Sequence, residues 1–167
     1  TRGLVTMAID PAPAVEIRIL DERLKAWGLP RYHSDHAAAI DLRACLDRTL
    51  LLHPQAEAVL IDSGIALHMA NPHMAAVILP RSGLGHKKGL VLGNATGLID
   101  ADYTAEIRIS VWNRTPPDGG APIIIEPGER IAQMMFVPVL RPALQEVDNF
   151  SASSARGGGG FGSTGAD

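Results

Sequence analysis

Apolar residues in this chain alternate with polar ones instead of recurring at helical spacing, and that alternation restricts it to a fold of short strands. Val15, Ile17 and Ile19 interleave with Glu16 and Arg18, and Ile107, Ile109 and Val111 interleave with Arg108 and Ser110. A period of two belongs to half-buried strands, whose side chains point to opposite faces in turn. Further short apolar runs occupy Ala58 to Ile61, Ala75 to Leu79, Gly89 to Leu92, Ile123 to Ile125 and Met134 to Leu140. Turn formers separate them: Pro54, Ser63-Gly64, Asn71-Pro72, Pro80, Gly93-Asn94, Pro116 to Gly120, and Pro127-Gly128. Many short strands with frequent punctuation predict an all-β, single-domain, distorted jelly roll or barrel of mostly antiparallel strands, with no long amphipathic helix. Thr115 to Pro122 reads as a longer hairpin connection, a small insertion without an assigned role.

Composition narrows the partners. At 167 residues the chain can build one substantial core but not two ordinary ones, and with aromatics at 4% that core must be aliphatic. A formal net charge of -3 provides no basic surface for a polynucleotide, so any phosphate binding must come from a few focused residues and the ligand should be small. Cys45 is the only cysteine, which excludes an internal disulfide framework and a multi-cysteine metal site; it is expected as a small packed side chain in a reducing compartment. No apolar run approaches the roughly 20 residues needed to span a bilayer, and no basic-then-apolar leader is visible. A cytoplasmic protein with no membrane or nucleic-acid partner is expected. Residues 1–14 read as an N-terminal extension, with Met7 expected as the natural start because Thr1 to Thr6 carry no periodicity. Residues 15–150 form the β domain. Residues 151–167 read as a glycine-rich arm, expected to be mobile until a ligand orders it.

Four stretches carry chemistry. Gly97-Leu98-Ile99-Asp100-Ala101-Asp102-Tyr103 sets two acids and a phenol around a turn; on an extended segment both acids would share a face, one carboxylate could deprotonate a water, and Tyr103 could stack on a ring or sugar. Gly97 would let backbone approach a ligand. In Pro80-Arg81-Ser82-Gly83 a guanidinium and a hydroxyl sit at the apex of a turn, which suits anion binding. Arg130 and Gln133 head the last long strand, where they could simply cap a turn. The C-terminal Arg156, Gly157 to Gly160, Phe161, Gly162, Ser163 and Thr164 supply a cation, an aromatic face and hydroxyl donors. That segment mimics the glycine spacing of dinucleotide-binding and P-loop motifs, but no helix can follow it to hold a phosphate and Ser163 stands where a P-loop needs lysine. Asp41 lies between Ile40 and Leu42, on the opposite strand face from both. His33-Ser34-Asp35-His36 lacks further ligands at matched spacing for a metal site.

Together with Ala39-Ile40-Asp41-Leu42-Arg43-Ala44, the Arg81, Asp100, Gln133 and C-terminal blocks resemble, in order and spacing, the five motifs of the trimeric dUTP diphosphatase family, over about Val15 to Gly165. The resemblance implies Mg2+-dependent conversion of dUTP to dUMP and pyrophosphate, limiting uracil incorporation into DNA and supplying dUMP for dTMP synthesis. It implies that Asp100 activates the attacking water. Asp41 would hold waters of a Mg2+ carried mainly by the triphosphate, although family members usually carry glycine where this chain has Ala39. Arg81, Ser82, Gly83, Gln133 and Arg156 would bind phosphates. Asn94 and backbone groups of Gly97, Leu98, Ile99 and Arg108 would recognise uracil. Tyr103 would exclude a 2′-hydroxyl, and Phe161, Gly162, Ser163 and Thr164 would close over the nucleotide. A homotrimer with shared sites is implied as well. The alternatives are a dCTP deaminase of the same fold superfamily and a nucleotide-binding sensor that has lost turnover.

Overall fold

A computed structural model describes residues 13–152. The elements, in chain order, are β1 (Glu16–Ile19), a single turn of helix α1 (Leu24–Trp27), β2 (Ile40–Arg43), β3 (Leu50–Leu52), β4 (Val59–His68) and β5 (Met74–Pro80). A π-helical turn, Leu84–Lys88, follows, then β6 (Leu90–Leu92), β7 (Gly97–Ile99), β8 (Glu106–Asn113), β9 (Ile123–Ile125) and β10 (Arg130–Pro138). All pairings are antiparallel. One four-stranded sheet runs β1-β4-β8-β6, a second runs β2-β10-β5-β7, and β3 pairs with β9 alone.

Alternation places the core. Along β8, Ile107, Ile109 and Val111 are buried while Arg108 faces out. They meet Ile61, Ile65 and Leu67 of β4 and, from the other sheet, Leu42, Ala76, Ile78 and Met134 in one aliphatic cluster. The buried polar groups are paired inside it: Ser63 Oγ donates to the Ile107 carbonyl at 2.6 Å, and Asn113 Nδ2 donates to that of Leu52 at 2.9 Å. The all-β expectation therefore holds. No helix among the described residues is long and apolar enough to cross a membrane.

Several local expectations are corrected. Ser63-Gly64 does not end a strand: β4 runs through it as a bulge, where the pairing with β8 shifts between Asp62 and Ala66. Gly64 has φ +70°, and a Cβ there would lie 2.6 Å from Cys45 Sγ and 2.8 Å from Asp21 Cβ, so only glycine fits. Its carbonyl accepts the N–H groups of Leu20 and Asp21. Thr115 to Pro122 is not a hairpin, because β8 and β9 belong to different sheets; the segment crosses between them, its start capped by Asn113 Oδ1. Leu50–Leu52, a run without alternation, forms β3 unforeseen. The last strand spans Arg130 to Pro138 and stops before Leu140. Cys45 is half-buried, and burial pushes its thiol pKa up to about 12.

Candidate active site

β2, β10 and β5 lie side by side, and Gln133 of β10 is opposite Asp41 on one flank and Leu79 on the other. Ile40, Leu42, Ala132 and Met134 turn inward, so Asp41 and Gln133 project from the outer face. Arg130 joins them through an irregularity. Pairing of β10 with β2 shifts between Arg130 and Ala132, and the consecutive Ile131 and Ala132 are both buried. In a regular strand residues three apart face opposite ways; the bulge brings Arg130 onto the face of Gln133.

The result is a charged cluster at the end of β5. Asp41, its side chain 16% exposed, accepts from Arg81 Nε at 3.0 Å on Oδ1 and from Arg130 Nη1 at 3.0 Å on Oδ2, with His33 Nε2 3.3 Å from Oδ2. Arg81 also donates to the Arg130 carbonyl at 3.1 Å, and Gln133 Nε2 donates to that of Pro80 at 2.9 Å. A cleft of about 400 Å³ opens here, bounded by Asp41, Arg81, Ser82 and Gly83 together with Lys87, Lys88 and Gln133. Cations outnumber acids around it although the whole chain is negative, which makes the cleft a local anion site. Asp41 is thus no isolated surface acid.

Gly83 has an ordinary helical φ of -65°, and a Cβ there would meet nothing within 4 Å. The turn does not need glycine. Gly97 is different: a Cβ would sit 3.0 Å from Ile78 Cβ, so its demand comes from packing of β7 on β5 as well as from any ligand.

Asp100 and Asp102 do not share an extended face. Tyr103 N–H donates to the Asp100 carbonyl at 3.1 Å, closing a turn over these residues. Tyr103 Oη in turn donates to the Glu106 carbonyl at 3.0 Å, which fixes its ring at the surface. Asp100 lines a separate cleft of about 500 Å³ with Asp102, His68, Asn71 and Arg141. Asn94 is exposed on the turn between β6 and β7, where Ala95 has φ +63°, while Leu98 and Arg108 point to solvent.

Asp41, Arg81, Ser82, Gly83 and Gln133 are therefore brought together, and Asp100 is not among them. Ile99 lies opposite Ala76, so Asp100 stands beside the Ala75 end of β5 while Arg81 leaves the other end; the strand between them extends about 20 Å. Arg156, Phe161, Gly162, Ser163 and Thr164 lie outside the described residues. Residues the sequence reading passed over are Lys87 and Lys88, on the π-helical turn, and His33, taken only as a weak metal motif. Two adjacent lysines after a glycine-rich turn were their one visible signal.

Among the described residues no three His, Cys, Asp or Glu side chains gather as a metal cage. A direct protein-held ion does not fit, but an outer contact does. An ionised carboxylate offers about four lone-pair positions, and Asp41 Oδ1 has accepted a single N–H; a water belonging to a hydrated Mg2+ can take another, as that ion prefers.

An antiparallel β domain with a cationic cleft at one sheet end and an exposed acidic turn at the other defines a small jelly-roll protein with a candidate anion site. The dUTPase family model matches residues 25–165. The chain is 52% identical over 156 residues to the deoxyuridine 5'-triphosphate nucleotidohydrolase of Xanthomonas oryzae pv. oryzae, covering 93% of this chain and 97% of that one. It is 54% identical over 151 residues to the namesake protein of an Azoarcus species, covering 90% and 97%. Its fold is similar to a dUTPase of Staphylococcus bacteriophage 80alpha solved with dUpNHpp, with TM-score 0.78 and 27% identity over 92% of this chain and 99% of that one. The chain belongs to the dUTPase family.

Proposed function

We propose that this chain hydrolyses dUTP with Asp100 as the base and with the cleft of Asp41, Arg81, Ser82, Gly83 and Gln133 as the phosphate site. Conversion of dUTP to dUMP and pyrophosphate is the reaction of this enzyme; the assignment of residues is the proposal. Asp100 is exposed and sits on a tight turn, where its carboxylate can accept the proton of a water attacking the α-phosphorus. Arg81 and Gln133 hold the leaving phosphates, and the guanidinium offsets charge that develops on them. Asp41 would hold a Mg2+ ion through water, and that ion would supply positive charge that partly neutralises the triphosphate. Asn94 with backbone groups of Gly97, Leu98, Ile99 and Arg108 reads uracil, and Tyr103 packs on the sugar. Arg156, Phe161, Gly162, Ser163 and Thr164 are assigned to closing the site, as the family resemblance implies.

The observation that carries this reading is the separation along β5. A base must lie within hydrogen-bond reach of its water, which must in turn lie about 3–3.5 Å from phosphorus. Asp100 and Arg81 leave opposite ends of a strand that extends about 20 Å and line different clefts, which supports sites that draw them from different copies. Association is further supported by Leu140, Leu144 and Phe150, which are 91%, 95% and 90% exposed in the single chain, and by an apolar groove of about 380 Å³ lined by Ile17, Tyr32 and Phe136 among others. We assign a homotrimer on that basis and on the family resemblance.

The test is a panel of dUTP, dTTP, dCTP and UTP, scored for pyrophosphate with the parental protein and with Asp100→Asn. Cleavage confined to dUTP, lost by about 10²–10⁴-fold in the variant with nucleotide binding retained, is expected. Ammonia release from dCTP would establish the deaminase alternative, and an Asp100→Asn enzyme of near-parental rate would remove Asp100 as the base.

A further inference from the structure

We propose that Lys87 and Lys88 form, beside Arg81, a subsite for the terminal phosphate of the nucleotide and set the preference of this chain for a triphosphate over shorter phosphates. The proposal rests on the reading of this cleft as the phosphate site. Both lysines line the same cleft as Arg81, Ser82 and Gln133. The remaining cation of the cleft is engaged, since Arg81 bonds Asp41, as does Arg130 beside it. Among the described residues Lys87 and Lys88 take part in no salt bridge. These two exposed ammonium groups, neither paired with a carboxylate among the described residues, give the cleft a positive potential that favours an added anion. A triphosphate carries more negative charge than Arg81, already shared with Asp41, can offset.

The lysines are also well placed mechanically. They sit on a single π-helical turn, a local irregularity common at functional sites, and that turn is pinned on several sides. Gly85 N–H donates to the Arg81 carbonyl at 2.8 Å, Arg114 Nη2 donates to the Gly85 carbonyl at 3.1 Å, and Arg114 N–H donates to the Gly89 carbonyl at 3.0 Å. Gly89 ends the turn at φ +78°, its N–H on the Leu84 carbonyl. The lysine stems therefore leave a fixed base, and only their ends need to settle on a ligand. Arg81 lies just before this turn, so the first phosphate contact and the lysines share one anchored segment.

Binding of dUpNHpp, dUDP and dUMP to the parental protein, to Lys87→Gln/Lys88→Gln and to Lys87→Arg/Lys88→Arg tests the subsite. The glutamine variant should lose about tenfold or more in affinity for dUpNHpp, the scale of a charge-assisted contact, with dUMP affinity and thermal midpoint unchanged; the arginine variant should restore the discrimination. Equal loss for all three nucleotides, or no loss for dUpNHpp, would overturn it. Arg81→Ala is measured beside them: unchanged dUpNHpp affinity in that variant would count against the reading of the cleft as the phosphate site, whereas a loss there with none in the glutamine variant would overturn the lysine subsite alone.

Discussion

Gly83 and Asp41 show how residue identity separates folding from binding. Gly83 adopts a conformation open to any residue, with empty space where its side chain would go, so the fold gives no reason for glycine there. Gly83→Ala should change stability by no more than about 0.5 kcal/mol. If backbone at Gly83 closes on a phosphate, the same methyl should raise KM for dUTP with kcat largely kept, a split read from steady-state kinetics alongside a melting curve. An unchanged KM would take Gly83 out of the site. Asp41 teaches the reverse. Its neighbours in sequence, Ile40 and Leu42, indicate only which face it takes; the cations that fix its role arrive from Arg81 and Arg130, far away in the chain.

Bulges are the elements that local pattern conceals. Alternation made β8 legible in position and burial and β1 in position alone, since Ile17 is 44% exposed, and turn residues located most of the connections, because both signals are carried by neighbouring residues. A bulge depends on what lies across the ladder. Ser63-Gly64 has the composition of a turn, yet β4 continues through it since Gly64 can take φ +70° against Cys45, Asp21 and Leu24. Gly64→Ala should therefore destabilise the protein by about 1–3 kcal/mol, lowering the thermal midpoint by several degrees, in contrast to Gly83→Ala. A midpoint equal to the parental one would mean that the β4 bulge relaxes freely. The β10 bulge has the same invisibility but a functional result, because it turns Arg130 from an apparent cap into a partner of Asp41. β3 went unseen because Leu50-Leu51-Leu52 shows no period, and its pairing with β9 is purely tertiary. The turn at Asp100 was legible from its residues, but the face shared by Asp100 and Asp102 holds only for an extended segment, and the Tyr103 N–H bond to the Asp100 carbonyl closes the turn instead.

At the scale of the molecule, β5 separates the cleft that Asp100 lines from the one that Arg81 lines. Its Ala75 end carries the neighbourhood of Asp100, and its Pro80 end delivers Arg81. If active sites combine the ends of different copies, Asp100→Asn and Arg81→Ala proteins, each nearly inactive, should regain turnover when unfolded together and refolded as a mixture. Recovery comes from sites that pair an intact Asp100 of one copy with an intact Arg81 of another. Absence of recovery, with mixed oligomers demonstrated by mass, would place both residues in sites made by one chain. The rod-like separation also has a consequence for populations of chains. With centres shared in this way, a copy damaged at one end would spoil one reaction centre of its assembly and a copy damaged at both ends two different ones, so when sound and doubly faulty chains are made side by side, output should fall faster than the share of faulty chains.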